Sequence, residues 1–224
     1  MIVTIDGPAG SGKSTAARGL AARLGFDFLD TGAMYRVVAE ECLRRGVAPD
    51  DDAAGLIAAA IEIEFDAARV LADGRDVTAA IRTPEVTRAA SVVALNAQVR
   101  AAMADQQRRH AHGRDIVSEG RDQGTFVFPN AQCKFFLIAH AAERARRRHR
   151  ELQRHHAAVA LQDVLEQMHE RDRRDQTRAV APLKPAADAV RIDTTELSPE
   201  QVLDRMEAEV RSRMDSDRRA STVL

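Results

Sequence analysis

Ile2-Val3-Thr4-Ile5-Asp6-Gly7-Pro8-Ala9-Gly10-Ser11-Gly12-Lys13-Ser14-Thr15 is the stretch that decides how the rest of the chain is read. The apolar run Ile2–Ile5 reads as a short strand, and the residues from Lys13 onward carry a helical pattern. Between them Gly7 to Ser14 satisfies the spacing G-x-x-x-x-G-K-[ST]. Glycines let such a loop curl so that backbone N–H groups point inward at phosphate oxygens, and the helix N-terminus adds its partial positive charge. In that cradle Lys13 is placed to reach the β and γ phosphates of a nucleotide, and Ser14 to ligate Mg²⁺. An ordinary glycine-rich turn is the competing reading, and the order strand, loop, helix weighs against it.

Outward from the cradle, short apolar runs alternate with helical patterns: Met1–Ile5, Ser14–Leu24, Phe26–Leu29, Met34–Arg45, then Ile116–Val117, Lys134–Ala139 and Val190–Asp193. That alternation predicts an α/β fold with a mostly parallel sheet flanked by helices. The division expected is a core at 1–48, 114–140 and 179–213, an insertion over about 49–113, a helical lid over about 141–178, and a disordered tail at 214–224. Inside the insertion, Ile61–Phe65 and Arg69–Ala72 are candidate strands, and Asp73-Gly74 reads as a tight turn that fits an inserted hairpin.

The 224 residues suffice for one compact globular domain with a sizeable core. A formal charge of −1 argues against a protein that coats nucleic acid or an anionic membrane. All but three of the 33 basic residues are arginine, the lysines being Lys13, Lys134 and Lys184. Base composition explains scattered surface arginines, so only clustered ones carry weight. Cys42 and Cys133 lack the spacing of a zinc or redox pair and read as reduced structural thiols. No apolar run is long enough to span a bilayer, which points to a cytoplasmic protein.

Three further segments are candidates for the acceptor side. Leu29-Asp30-Thr31-Gly32-Ala33-Met34-Tyr35-Arg36 ends a strand and opens a helix, placing Thr31 and Arg36 at the edge of the sheet where ligands bind. Thr31 as a helix cap is the alternative role. Arg121 and Asp122 follow the Ile116–Val117 strand between Gly120 and Gly124, and emerge at the same edge; a loop salt bridge is the alternative there. Arg171, Arg174, Asp175 and Arg178 fall at i, i+3, i+4 and i+7, one face of a helix. Three guanidiniums there repel unless carboxylates or a phosphate lie among them. The run Glu143–Arg150 reads as a solvated helical face.

Taken together, IDGPAGSGKST at Ile5–Thr15, LDTGAMYR at Leu29–Arg36, GRDQGTFVFP at Gly120–Pro129 and RDRRDQTRAVAPLKPAADA at Arg171–Ala189 resemble the bacterial cytidylate kinase family. The resemblance implies a P-loop NTPase core with a monophosphate-binding insertion and a lid, and transfer of phosphate from ATP to CMP or dCMP with Mg²⁺. It implies that Gly7, Pro8, Ala9, Gly10, Ser11, Gly12, Lys13, Ser14 and Thr15 hold ATP. It assigns Thr31, Ser91, Arg100, Arg121, Asp122, Asp175 and Arg178 to the cytidine monophosphate, and Arg36 and Arg171 to phosphate. Asp175 would take the sugar hydroxyls, and Ser91, Arg100 and Asp122 the cytosine edge. Lys13, Arg171, Arg174 and Arg178 would neutralise the transferring group. His140, His149 and Gln123 depart from the usual pattern. No nucleic acid, membrane or second subunit is expected as a partner; the chain reads as a monomer. Rival readings are a P-loop kinase for UMP, AMP or a non-nucleotide acid, and an arginine-rich nucleic-acid binder. The missing Asn-Lys-x-Asp signature disfavours a GTPase.

Overall fold

The computed structural model describes residues 1–66, 68–154 and 159–222, with side chains described up to residue 216 in the last stretch. The chain divides into two compact units, Met1–Leu29 with Gly113–Leu224, and Asp30–His112. The sequence reading put this boundary at Pro49. It falls at Asp30 because the helix opening there packs on helices of the second unit.

The first unit is built on a five-stranded parallel sheet of β1 (Ile2–Asp6), β2 (Asp27–Asp30), β6 (Ile116–Gly120), β7 (Cys133–Ile138) and β8 (Val190–Asp193), in the order β2-β6-β1-β7-β8. Thr4 of β1 lies opposite Ser118 of β6 and Lys134 of β7, which fixes the register of the three central strands. Side chains alternate across the strands. Val3, Ile5, Cys133, Phe135 and Leu137 face α1 (Lys13–Leu24) and α8 (Pro199–Thr222), meeting Ala17, Leu20, Leu203 and Met206 in one apolar core. Thr4, Ser118 and Lys134 are buried but polar, and a π-helical turn at Gln123–Val127 packs against β1. The α/β expectation is met, and this is a P-loop-type fold. Helix α1 stops at Gly25, whose φ of 70° is the left-handed cap glycine tolerates. Helix α8 continues to Thr222, through most of the stretch read as a frayed tail; residues 223–224 lie outside the described residues.

Helices α6 (Ala141–Arg154) and α7 (Leu161–Thr177) form the segment expected as a lid, of which residues 155–158 lie outside the described residues. The ring nitrogen Nε2 of His149 donates to the Val159 carbonyl at 2.9 Å, joining the end of α6 to the start of α7.

The second unit contains α2 (Thr31–Arg44), α3 (Ala53–Ala60), α4 (Pro84–Val93) and α5 (Ala97–Ala111) with an antiparallel sheet of β3 (Ile63–Asp66), β4 (Arg69–Ala72) and β5 (Arg75–Asp76). The expected Asp73-Gly74 turn is present, with φ of 49° and 76° at its two residues. Thr83 caps α4 ahead of Pro84, and Asn96 caps α5 by accepting from the amides of Gln98 and Val99. Glu41, buried on α2, accepts from Arg44, Arg45 and Arg75. The Arg44 hydrogen bonds, against the cost of burial, bring its carboxyl down to about 2. Among the described residues no helix is long and apolar enough to cross a membrane.

Candidate active site

In the first unit the carboxyl ends of four neighbouring strands open onto one edge: β1 leads into Gly7 and β6 into Arg121, both singled out by the sequence, while β7 leads into α6 and β8 into Thr194. Gly7, at φ 148°, lies so close to β7 that a Cβ there would stand 2.1 Å from the Leu137 carbonyl oxygen. Only glycine lets the loop leave the sheet at this point. At the loop tip, a Cβ on Gly10 would meet the Arg144 backbone at 2.9 Å and the Met168 methyl at 3.0 Å, so α6 and α7 pack directly over the cradle. Ala9 joins Ala145, Val164 and Met168 in a small apolar cluster beneath them.

Lys13 donates through Nζ to the Pro8 carbonyl at 2.7 Å. Burial, and then the Arg121 and Arg171 guanidiniums, push its ammonium down to about 7. Ser14 Oγ donates to Glu119 Oε1 at 2.6 Å, across from the first turn of α1 to the end of β6. Glu119 is a residue that sequence reading passed over. Its signal was there: a carboxylate closing an apolar strand one position before a glycine.

Arg121 donates through Nε to Asp175 Oδ2 at 2.9 Å. Burial raises the Asp175 pKa, and Arg121 with Arg171 outweigh it, holding the carboxyl below its usual value. Burial lowers Arg171 to about 10, and Arg121 adds to the effect. Asp122 lies 3.7 Å from Arg178, both side chains almost wholly enclosed. Lys13, Ser14, Glu119, Arg121, Asp175 and Arg171 thus form one cluster, with Asp122 and Arg178 paired beside Arg121.

One expectation needs correcting. Arg171, Arg174 and Asp175 lie on α7, but Arg178 is not on the same helical face, because α7 ends at Thr177 and Arg178 turns extended at ψ 141°. The chain then passes through Ala181 at φ 51° just before Pro182, and Arg178 Nε donates to the Ala181 carbonyl at 2.6 Å. Proline disfavours helical backbone in the residue before it, so the helix does not resume at Ala181. Arg174 is half-buried and leans to Glu170 at 3.9 Å.

The arginine run of α6 is also divided. Arg146 and Arg150 are exposed and pair with Glu143, as a solvated face predicts. Arg144 and Arg147 turn inward. Arg144 Nη1 donates to the Ala9 carbonyl at 3.0 Å and to Asp172 Oδ2 at 2.6 Å, tying cradle to α7. Arg147 donates to the hydroxyl and carbonyl of Thr194, whose Oγ1 in turn donates to the Ser11 carbonyl at 3.0 Å.

In the second unit, Asp30 rather than Thr31 caps α2, its Oδ1 accepting from the Ala33 amide at 2.9 Å. Thr31 is buried in the first turn, and Arg36 lies 3.4 Å from Asp30. Ser91 on α4 donates to the Arg88 carbonyl at 2.8 Å. Arg100 on α5 is buried, donates to the Ala94 carbonyl and lies 5.8 Å from the Tyr35 ring centre.

Residues 3–212 match the family model described as cytidylate kinase. A curated protein named cytidylate kinase from Desulfitobacterium hafniense (strain Y51) is 48% identical over 208 residues, covering 91% of this chain and 90% of that one. A second of that name, from Geobacter sulfurreducens, is 48% identical over 219 residues, covering 95% and 94%. A third, from Stutzerimonas stutzeri (strain A1501), is 46% identical over 219 residues, covering 95% and 96%. Among solved structures, an uncharacterized protein from Eubacterium ventriosum ATCC 27560 superposes with a TM-score of 0.51 at 14% identity, covering 96% of this chain and 98% of that one, a likeness of fold alone.

Proposed function

The chain belongs to the cytidylate kinase family, and on that premise we propose that it transfers the γ-phosphoryl group of ATP to CMP and dCMP, giving CDP and dCDP, with Mg²⁺. The observation that carries this reading is the cationic cluster at the cradle. Burial, and then the Arg121 and Arg171 guanidiniums beside it, depress the pKa of Lys13, and an anionic polyphosphate would relieve that repulsion. Ser11 Oγ and Arg171 Nε are moreover buried with no hydrogen-bond partner among the described residues, and phosphate oxygens would satisfy both.

An oxygen of the acceptor phosphate attacks the γ-phosphorus as the bond to the β–γ bridging oxygen breaks and ADP leaves. The acceptor is already anionic, so no general base is needed. The work of the chain is to position the two nucleotides and to offset charge on the transferring group, through Lys13, Arg171, Arg174 and Arg178. Asp122 reads the pyrimidine, Asp175 takes the sugar hydroxyls, and α6–α7 act as a lid that excludes water. Thr31, Arg36, Ser91 and Arg100 are assigned to the acceptor by the same family resemblance. The Ser14 hydroxyl and Glu119 carboxylate are a hard-oxygen pair suited to Mg²⁺, which phosphate and water would complete. Mg²⁺ would there offset phosphate charge. Glu119→Gln is expected to raise the Mg²⁺ concentration needed for half-maximal rate by about 10- to 100-fold; titrating the rate against Mg²⁺ checks it, and an unchanged curve removes Glu119 from the site.

Acceptor choice is tested by ADP release from ATP and Mg²⁺ with CMP, dCMP, UMP and AMP. A wrong base leaves buried polar groups unpaired, so kcat/KM for CMP is expected to exceed that for UMP by about 10- to 100-fold and that for AMP by more. ADP release indifferent to the monophosphate would falsify the proposal.

A further inference from the structure

The turn that presents Arg121 and Asp122 is capped from outside itself. Asp122 stands at the N-cap of the π-helical turn, where an aspartate ordinarily accepts hydrogen bonds from the first backbone amides. Here its side chain makes no such bond. The amides of Gln123 and Gly124 instead donate to the two oxygens of Asp6, each at 2.8 Å. Asp6 is the last residue of β1, wholly buried, and directly precedes Gly7 of the cradle.

The surroundings serve this reach. The Asp122 carbonyl accepts from the amides of Phe126 at 2.9 Å and Val127 at 3.2 Å, winding the turn tightly. Gly124 sits so near β1 that a Cβ would approach Thr4 Oγ1 to 3.0 Å, and the absence of a side chain lets its amide meet Asp6. Ser118 Oγ donates to Gln123 Oε1 at 2.7 Å in the same buried layer, giving the unusual Gln123 a second anchor. Holding a carboxylate there is costly, since burial drives Asp6 up to about 6 against the pull of its two amides. Asp122, itself buried, stood nearer in the chain as a local cap. With Asp6 in its place, the Asp122 carboxylate faces Arg178 at 3.7 Å.

We propose that Asp6 is a positioning residue for acceptor recognition: it caps Gln123 and Gly124 in place of Asp122, and so keeps the Asp122 carboxylate directed at the pyrimidine. This rests on the reading above in which Asp122 contacts the base. In Asp6→Asn, an isosteric change that removes a buried charge, one capping oxygen becomes an N–H₂ group that cannot accept, and Asp122 is drawn back to cap its own turn.

The test is a double-mutant cycle with steady-state kinetics. Asp6→Asn is expected to raise KM for CMP about tenfold, the size of one charge-assisted hydrogen bond, and to leave KM for ATP within about twofold. Because Asp6 acts through Asp122, the pair Asp6→Asn/Asp122→Asn is expected to be no worse than Asp122→Asn alone. In the wild-type protein the Gln123 and Gly124 amides, followed by hydrogen exchange, are expected to exchange slowly, and faster in Asp6→Asn. An unchanged KM for CMP, an equal rise in both KM values, or effects that multiply in the pair each overturn the proposal. If Asp122→Asn leaves KM for CMP unaltered, the recognition role is overturned too, but the fault then lies in the assignment of Asp122 to the base. Fast exchange at both amides in the wild type overturns the cap itself.

Discussion

Replacing Lys13 with alanine is expected to lower kcat for phosphoryl transfer by about a thousandfold, the scale on which removal of one preorganised charge at a transferring group is felt. The fold is expected to survive. Lys13 is buried, its one described hydrogen bond is to the Pro8 carbonyl, and its pKa of about 7 records an environment that disfavours the ammonium. Alanine therefore removes a desolvated cation crowded by Arg121 and Arg171, and the thermal midpoint is expected to hold or rise. Activity and unfolding measured on the same sample separate the two effects. Wild-type turnover in Lys13→Ala would remove the cradle from the chemistry.

Gly7→Ala is expected to fail in the opposite manner, through the scaffold. The added methyl would lie 2.1 Å from a backbone oxygen of β7, with Ser11 Oγ at 3.2 Å on another side and the backbone already at φ 148°. Neither a rotamer change nor a flexible neighbour relieves that overlap, so β1 and β7 must separate or the loop must change its path. A loss of about 3 kcal/mol or more is expected, in the range of severe overpacking. For a chain of this length that lowers the thermal midpoint by about 10 °C. ATP binding should fall even in the molecules that remain folded, which calorimetric titration below the midpoint would show. An unchanged midpoint would mean that the loop leaves the sheet by a different route.

Much of this architecture was legible in the residues because its signals are local. The glycine spacing of the cradle, the apolar runs of β1 and β7, and Asp73-Gly74 between β4 and β5 each state their conformation within a few positions. What was not legible depends on partners distant in sequence or on which face becomes covered. The two amides that Asp6 engages lie more than a hundred residues away, and nothing near Asp6 announces them. Arg144 and Arg147 are indistinguishable by type from Arg146 and Arg150; only packing over Ala9 and Thr194 separates them. Arg178 continues the helical spacing of Arg171 and Arg174, yet the backbone at Arg178 and Ala181 ends the helix first. Helix α2 follows β2 without a break, so its membership of the second unit is a fact of tertiary packing.

Among the described residues, the hairpin of α6 and α7 buries three apolar side chains, Ala145, Val164 and Met168, with Leu152, Val159 and Leu165 partly buried against them. Burial of so few apolar groups is worth a few kcal/mol, whereas ordering two helices costs about 1–2 kcal/mol for every residue of backbone fixed. This hairpin therefore has little independent stability and exists by leaning on Ala9 and Gly10 of the cradle and, through Arg147, on Thr194. It is a dependent foldon: the last segment to assemble once the sheet has formed, and the one whose release costs least while the sheet stays intact.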